Sequence, residues 1–244
     1  MRFEDALDCA LFLDLDGTLI DIAPTPDAVR VPDGLVPLLQ RLQTGLGGAL
    51  AIITGRPVSD IDRLLAPSTL LVAGVHGAEI RTERGREPVT LAAPLDGAVR
   101  DAVRRLEDIA PGIVIEQKPC SIAVHYRLAP AAEPMVESAL RRILADGPDH
   151  LILCAGRKVI EIVPKHVSKG GALETLSRLA PFAGRRPLMI GDDFSDLSAF
   201  DAARRLGGAA LRVAGELFAA ADSDFNGPSA VRSWLAALAA RLPA

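Results

Sequence analysis

The stretch Cys9-Ala10-Leu11-Phe12-Leu13-Asp14-Leu15-Asp16-Gly17-Thr18-Leu19 decides how the chain folds. An unbroken apolar run from Cys9 to Leu13 marks a strand buried on both faces, and Asp16-Gly17 marks the turn that stops it. A second run, Leu50 to Ile53, ends the same way in Thr54-Gly55-Arg56. Between them Pro32-Asp33 opens an amphipathic stretch (Leu35, Leu38, Leu39, Leu42), and Pro57 to Leu65 carries the start signals of another helix. The order β-α-β-α predicts a parallel sheet covered by helices. The last third repeats it, with a helix from about Lys169 to Leu179, a strand over Pro187 to Ile190, a helix from about Asp196 and a strand over Ala209 to Val213. Val231, Leu235, Leu238 and Leu242 then form one helical stripe, expected to pack on the sheet rather than make a dimer.

The middle reads differently. A helix over Leu95 to Ala110 precedes strands at Ile113 to Gln117 and Ser121 to Tyr126, a helix over Ala131 to Ala145, and strands at Leu151 to Cys154 and Val159 to Val163. This α-β-β-α-β-β order implies a small antiparallel sheet with helices on one face. The fold class is therefore α/β: a doubly wound, Rossmann-like parallel-sheet core with an inserted α+β domain. Pro94 and Pro164 bracket the insertion, so the core is assigned to 1–93 and 165–244 and the inserted domain to 94–164.

Composition removes several function classes. With 244 residues, 49% hydrophobic and 24% charged, the chain is far from the signature of disorder. A formal charge of −4 offers no footprint for nucleic acid. No apolar run reaches the length of a membrane helix, and the N-terminus is acidic (Glu4, Asp5, Asp8) where a signal peptide would be basic, so no membrane is expected and a cytoplasmic location is. Cys9, Cys120 and Cys154 lie far apart without a CxxC and read as buried free thiols. Among the basic residues only Lys118, Lys158, Lys165 and Lys169 are lysine; the rest are arginine.

In an open α/β sheet ligands bind beyond the carboxyl ends of the strands, and three polar clusters fall there: Asp14/Asp16, Thr54-Gly55-Arg56 and Gly191-Asp192-Asp193. Carboxylates brought so close repel unless a cation shares them, and oxygen-only ligands select a hard divalent ion, Mg²⁺ being the usual one. Taken singly, Asp16-Gly17 is a turn, Thr54-Gly55 a strand exit and Asp193 to Asp196 a helix N-terminus. Asp-x-Asp-Gly-Thr, however, arises by chance at roughly one position in 100,000, and its placement with the other two clusters points to a site.

These motifs resemble those of the haloacid dehalogenase superfamily of phosphotransferases: Asp14 to Leu19 matches its first motif, Thr54 its second, Lys169 its third and Gly191-Asp192-Asp193-Phe194-Ser195-Asp196 its fourth. The resemblance implies that Asp14 attacks phosphorus to form an aspartyl phosphate, while Asp16 protonates the leaving oxygen and later activates water. It also implies Mg²⁺ on the Asp14 side chain, the Asp16 carbonyl and Asp192, with Thr54 and Lys169 on the phosphate and Asp193 and Asp196 around the metal ligands. A lysine at a helix start opposes the helix dipole, so its retention at position 169 in an arginine-rich chain fits a need for a compact ammonium.

Further strings are similar to trehalose-6-phosphate phosphatases: Val75-His76-Gly77-Ala78-Glu79, Glu116 to Ser121, His125-Tyr126-Arg127, and Glu161 to Pro164 followed by Lys169-Gly170. That resemblance makes the inserted domain a sugar-reading cap, with Glu116, Lys118, Arg127 and Glu161 on the sugar, and Leu15, Gly55, Arg56 and His76 as further substrate contacts. His76 reads equally well as satisfying a local backbone group. Leu197 departs from the family, which often carries an acid there, and bears only on the surroundings of the metal ligands. The implied reaction is Mg²⁺-dependent hydrolysis of trehalose 6-phosphate, the small-molecule partner, with cap closure excluding water. Other sugar phosphates, such as sucrose 6-phosphate or a glucosylglycerol-type phosphate, and a non-catalytic sensor subunit of a synthase complex, remain open; the sequence names no protein partner.

Overall fold

The structure, a computed structural model, describes residues 8–68 and 70–243. The acids Glu4 and Asp5, on which part of the signal-peptide reading rests, lie outside the described residues. Two compact units are present: the described parts of Met1–Ile22, Val29–Leu91 and Ser168–Ala244, and a smaller unit of Ala23–Ala28 with Ala92–Val167.

The larger unit begins β1 (Cys9–Leu13), α1 (Leu35–Gly45), β2 (Leu50–Ile53), α2 (Val58–Leu64), β3 (Leu71–Gly74), β4 (Glu79–Arg81) and β5 (Val89–Thr90). Within the smaller unit follow α3 (Gly97–Arg104), β6 (Val114–Gln117), β7 (Ile122–His125), α4 (Glu133–Ala145), β8 (Leu151–Gly156) and β9 (Val159–Pro164). The chain then returns through α5 (Lys169–Ser177), β10 (Arg186–Gly191), α6 (Leu197–Arg205), β11 (Ala209–Arg212) and α7 (Pro228–Ala239).

The large sheet runs β11-β10-β1-β2-β3-β4-β5. The strands from β11 to β3 are parallel, with Leu11 beside Leu188 on one side and Leu50 on the other. Every residue of β1 is buried, as a central parallel strand covered on both faces requires. From β1 the chain winds one way through β2 and β3 and later the other way through β10 and β11. Right-handed crossovers therefore put the helix pair α1/α7 on one face and α5/α6 on the other. The C-terminal stripe is buried as expected, with Val231, Leu235, Leu238 and Leu242 all in the core.

Three strands extend beyond the expected pattern. β3 continues the parallel sheet, and β4 and β5 close its edge antiparallel. β4 hides because it is Glu-Ile-Arg: Glu79 is buried by accepting from the Val58 amide at 2.8 Å, and Arg81 by a two-armed pair with Asp62 at 2.6 and 2.7 Å. Neither partner is near in sequence.

The smaller unit has an antiparallel sheet, β6-β7-β9-β8. Ile122, Val124, Ile160 and Ile162 face a core shared with Val99 and Val103 of α3 and Val136 and Leu140 of α4. The expected Leu95 to Ala110 helix is regular only over Gly97–Arg104 and tightens into a 3-10 turn over Arg105–Ile109, since Pro111 cannot continue it. Cys9 and Cys120 are buried thiols, but Cys154 is only half-buried because β8 is an edge strand. Among the described residues no helix is long and apolar enough to cross a membrane.

Candidate active site

Because β10, β1 and β2 are parallel neighbours, their carboxyl ends lie side by side and deliver Asp192, Asp14 and Thr54 to one rim. This is also where the winding direction reverses, the crevice in which such sheets bind ligands. Gly17 makes the turn after β1 possible: its φ of +89° suits glycine, and a Cβ there would sit 2.2 Å from Asp192 Oδ2.

Asp14, Asp192 and Asp196 are buried, and each offers an oxygen within 4.8 Å of the others. Lys169, first residue of α5, sends Nζ between two of them, 2.7 Å from Asp14 Oδ1 and 2.7 Å from Asp196 Oδ1. Burial works against this ammonium, but the two carboxylates outweigh it and raise its pKa above the ordinary lysine value. The acids stay frustrated all the same. Burial pushes Asp14 up to about 7 despite Lys169, with Asp196 and Asp16 adding to the rise. Burial, then Asp14, Asp196 and Asp193, push Asp192 up to about 9. An oxygen-only cluster so short of positive charge fits a hard divalent cation.

Asp196 is more central than a residue merely surrounding the metal ligands. Its Oδ2 accepts from the amides of Asp192 and Asp193, both at 3.0 Å, while Asp193 reciprocates as the cap of the following turn. Thr18 was not singled out from the sequence beyond its place in the first motif; its hydroxyl lies 3.3 Å from Asp192 Oδ1.

Thr54 and Arg56 share a short loop in which Thr54 Oγ1 accepts from the Arg56 amide at 3.2 Å. The Arg56 guanidinium meets both oxygens of Asp16, at 2.7 and 2.8 Å. A strained turn braces this loop from behind. Val75 and His76 both have positive φ, 47° and 56°, costly for side-chain-bearing residues and severe for a β-branched one. Their amides donate to Arg56 and Thr54 carbonyls, each at 2.9 Å. The His76 ring lies over Gly55, where a Cβ would come within 2.8 Å of it. Leu15 is fully buried, with its side chain in the core of the larger unit.

A buried carboxylate held by a lysine, a second carboxylate two residues on, and an acidic pocket for a cation form a set able to take a phosphoryl group onto an aspartate. The trehalose-phosphatase family model matches residues 12–228. The chain belongs to the trehalose-phosphatase family. A probable trehalose-phosphate phosphatase of Sinorhizobium fredii is 42% identical, over 94% of this chain and 87% of its own length. The trehalose-6-phosphate phosphatase of Escherichia coli is 40% identical, over 84% of this chain and 77% of its own. In fold, the chain resembles the C-terminal domain of the C. albicans trehalose-6-phosphate phosphatase, with a TM-score of 0.83, 24% identity and coverage of 100% and 99% of the two chains.

In this member of the trehalose-phosphatase family the remaining candidates gather on the smaller sheet. Ala123 pairs with Glu116 on one side and Glu161 on the other, so both acids stand on the face opposite the helices, with a small residue between them. Lys118 Nζ lies 2.7 Å from Glu161 Oε2 and 3.9 Å from Glu116 Oε2. Ser121 donates to the other oxygen of Glu161, and His125 Nε2 lies 2.8 Å from Glu116 Oε2. Burial pushes Glu116 up, but His125 and Lys118 outweigh it and hold the carboxyl below its ordinary value. The sequence reading quoted Ser121 and His125 within its strings but assigned neither to the sugar, although alternation places His125 on the same face diagonally from Glu116. Arg127 is used differently, its two terminal nitrogens donating to the Ala23 and Arg157 carbonyls at 2.7 Å each.

Proposed function

We propose that this chain is a Mg²⁺-dependent phosphatase that hydrolyses trehalose 6-phosphate to trehalose and phosphate through an aspartyl phosphate on Asp14. The observation carrying the reading is the Asp14–Lys169–Asp196 chain of 2.7 Å contacts beside Asp192, in a member of the trehalose-phosphatase family. The carboxylates of Asp14 and Asp192 and the Asp16 carbonyl would hold Mg²⁺, which would supply the positive charge that lets an anionic nucleophile approach a phosphate.

The protein's own groups do the rest. Asp14 forms a bond to phosphorus while Asp16 gives its proton to the departing sugar oxygen. Asp16, now a carboxylate, then takes a proton from water as that water attacks the acyl phosphate, releasing phosphate and restoring Asp14. Thr54 and Lys169 hold phosphate oxygens whose charge shifts during transfer. Leu15 and Gly55, through backbone, and His76 line the phosphate side. On the smaller unit, Glu116 and Glu161 accept from sugar hydroxyls and Lys118 donates to them. Arg127, tied to two backbone carbonyls, fixes the Ala23–Ala28 segment within that unit. The enzyme so described works in the cytoplasm on a small sugar phosphate.

The test is phosphate release from trehalose 6-phosphate, sucrose 6-phosphate and glucose 6-phosphate, with Mg²⁺ or with EDTA. Trehalose 6-phosphate should give the highest kcat/KM and EDTA should abolish it reversibly. Trehalose 6-phosphate turned over no faster than glucose 6-phosphate would remove the substrate assignment.

A further inference from the structure

Asp14 and Asp16 follow the same strand two residues apart, yet each has its own cation. Lys169 is on Asp14. Arg56 is on Asp16 through two parallel bonds, Nε to Oδ2 at 2.7 Å and Nη2 to Oδ1 at 2.8 Å. This arginine is built in rather than reaching outward. Its side chain is 9% exposed against 31% for Asp16, so the carboxylate is the accessible side of the pair. Its third nitrogen, Nη1, lies 3.7 Å from Asp60 Oδ2 in α2. Its amide and carbonyl are pinned by Thr54 Oγ1 and the Val75 amide, at 3.2 and 2.9 Å. A lysine could not replace it, since only a planar fork engages both carboxylate oxygens at once.

Resting on the reading of Asp16 as acid and base, we infer that Arg56 is a positioning residue for Asp16 and not an arm for the phosphate. The fork fixes the plane of the carboxyl group and aims one oxygen at the leaving group. As the P–O bond breaks, its electron pair goes to the sugar oxygen, which takes the Asp16 proton. Asp16 becomes the anion that the fork holds best, so the Arg56 interaction strengthens along the reaction coordinate. In the second step the same fork keeps that anion aimed at water.

Rates for wild type, Arg56→Lys, Arg56→Gln, Asp16→Asn and the Arg56→Gln/Asp16→Asn double variant, all with Mg²⁺, test this on two substrates. Trehalose 6-phosphate needs a proton on its leaving oxygen; p-nitrophenyl phosphate does not. Arg56→Gln should lower kcat on trehalose 6-phosphate by about 100-fold or more with KM changed only slightly. With enzyme in excess over p-nitrophenyl phosphate, the first release of p-nitrophenolate should stay near the wild-type rate while later turnover slows, as Asp16 is then needed as base. The double variant should be no slower than Asp16→Asn alone, because the two residues act as a unit. Arg56→Lys keeps the charge, guards against loss of fold, and should fall between wild type and Arg56→Gln.

A raised KM with unchanged kcat would overturn the inference in favour of a phosphate arm. Loss of the first p-nitrophenolate release, or losses that multiply in the double variant, would overturn it too. A wild-type enzyme that reacts with p-nitrophenyl phosphate but ignores trehalose 6-phosphate would sink the substrate assignment instead, and the p-nitrophenyl phosphate comparison would still decide the role of Arg56.

Discussion

Asp192→Asn should destroy activity and yet make the metal-free protein more stable at alkaline pH. Asp192 is 2% exposed, and burial with Asp14, Asp196 and Asp193 raises its pKa from 3.8 to about 9. Between those values the folded state binds more protons than the unfolded one, so stability falls as pH rises and stops falling above about 9. The slope approaches roughly 1.4 kcal/mol per pH unit, which by about pH 8 amounts to a penalty on the order of 5 kcal/mol. Asp14 contributes in the same direction from 3.8 up to about 7. An asparagine keeps the shape and the contact with Thr18 but carries no charge, removing the first slope and easing the second. The assay is urea unfolding in EDTA at about pH 5 and about pH 8, repeated with Mg²⁺. Wild type should lose stability between the two pH values and regain it with Mg²⁺, by about 2.7 kcal/mol at 100 times its Kd. Asp192→Asn should lose less stability than wild type between the two pH values, be more stable than wild type at about pH 8, and be indifferent to Mg²⁺. If it is less stable than wild type at about pH 8 in EDTA, the carboxylates are not uncompensated and the reasoning is wrong.

Lys169→Arg keeps a positive charge but cannot place a compact ammonium 2.7 Å from both Asp14 and Asp196 in a pocket 3% exposed, so kcat on trehalose 6-phosphate should fall by about 100-fold. Unchanged turnover would show that a guanidinium serves equally well. Gly17→Ala should raise the Mg²⁺ concentration needed for half-maximal activity by about tenfold or more while leaving the circular dichroism spectrum native, because the new methyl strikes Asp192 and needs a positive φ. Glu116→Gln should lower kcat/KM for trehalose 6-phosphate by roughly 10- to 100-fold, mostly through KM. The same variant should leave p-nitrophenyl phosphate hydrolysis unaltered, a comparison that separates sugar reading from chemistry.

What the sequence disclosed follows from which interactions are local. β1 and β2 announce themselves because a central parallel strand is apolar throughout, β10 does so through its buried Leu188-Met189-Ile190 run, and the residue after each strand is polar because it faces the rim. The alternation of β7 and β9 betrays the smaller sheet in the same way. β4 does not announce itself, since Glu79 and Arg81 look like a solvated segment until Val58 and Asp62 are known to lie against them. The site divides along the same line. Asp14, Asp16, Thr54, Lys169 and Asp192 could be named from motifs, but the pairing of Arg56 with Asp16 spans 40 residues and that of Lys169 with Asp14 spans 155. The strain at Val75 and His76, and the inclusion of Ala23–Ala28 in the smaller unit, likewise have no local signature.

That division has a chemical meaning at the rim. Asp14 and Asp16 are given two different cations, a buried ammonium and a planar fork, and in the proposed mechanism the first serves the group that attacks and the second the group that releases and recovers a proton. The most direct measurement is to quench the enzyme during turnover of trehalose 6-phosphate with Mg²⁺, reduce with borohydride, and read residue 14 by mass spectrometry. An aspartyl phosphate at Asp14 predicts conversion of that residue to homoserine, absent with EDTA and absent with substrate omitted. An unmodified Asp14, or homoserine at another acid in its place, would contradict it.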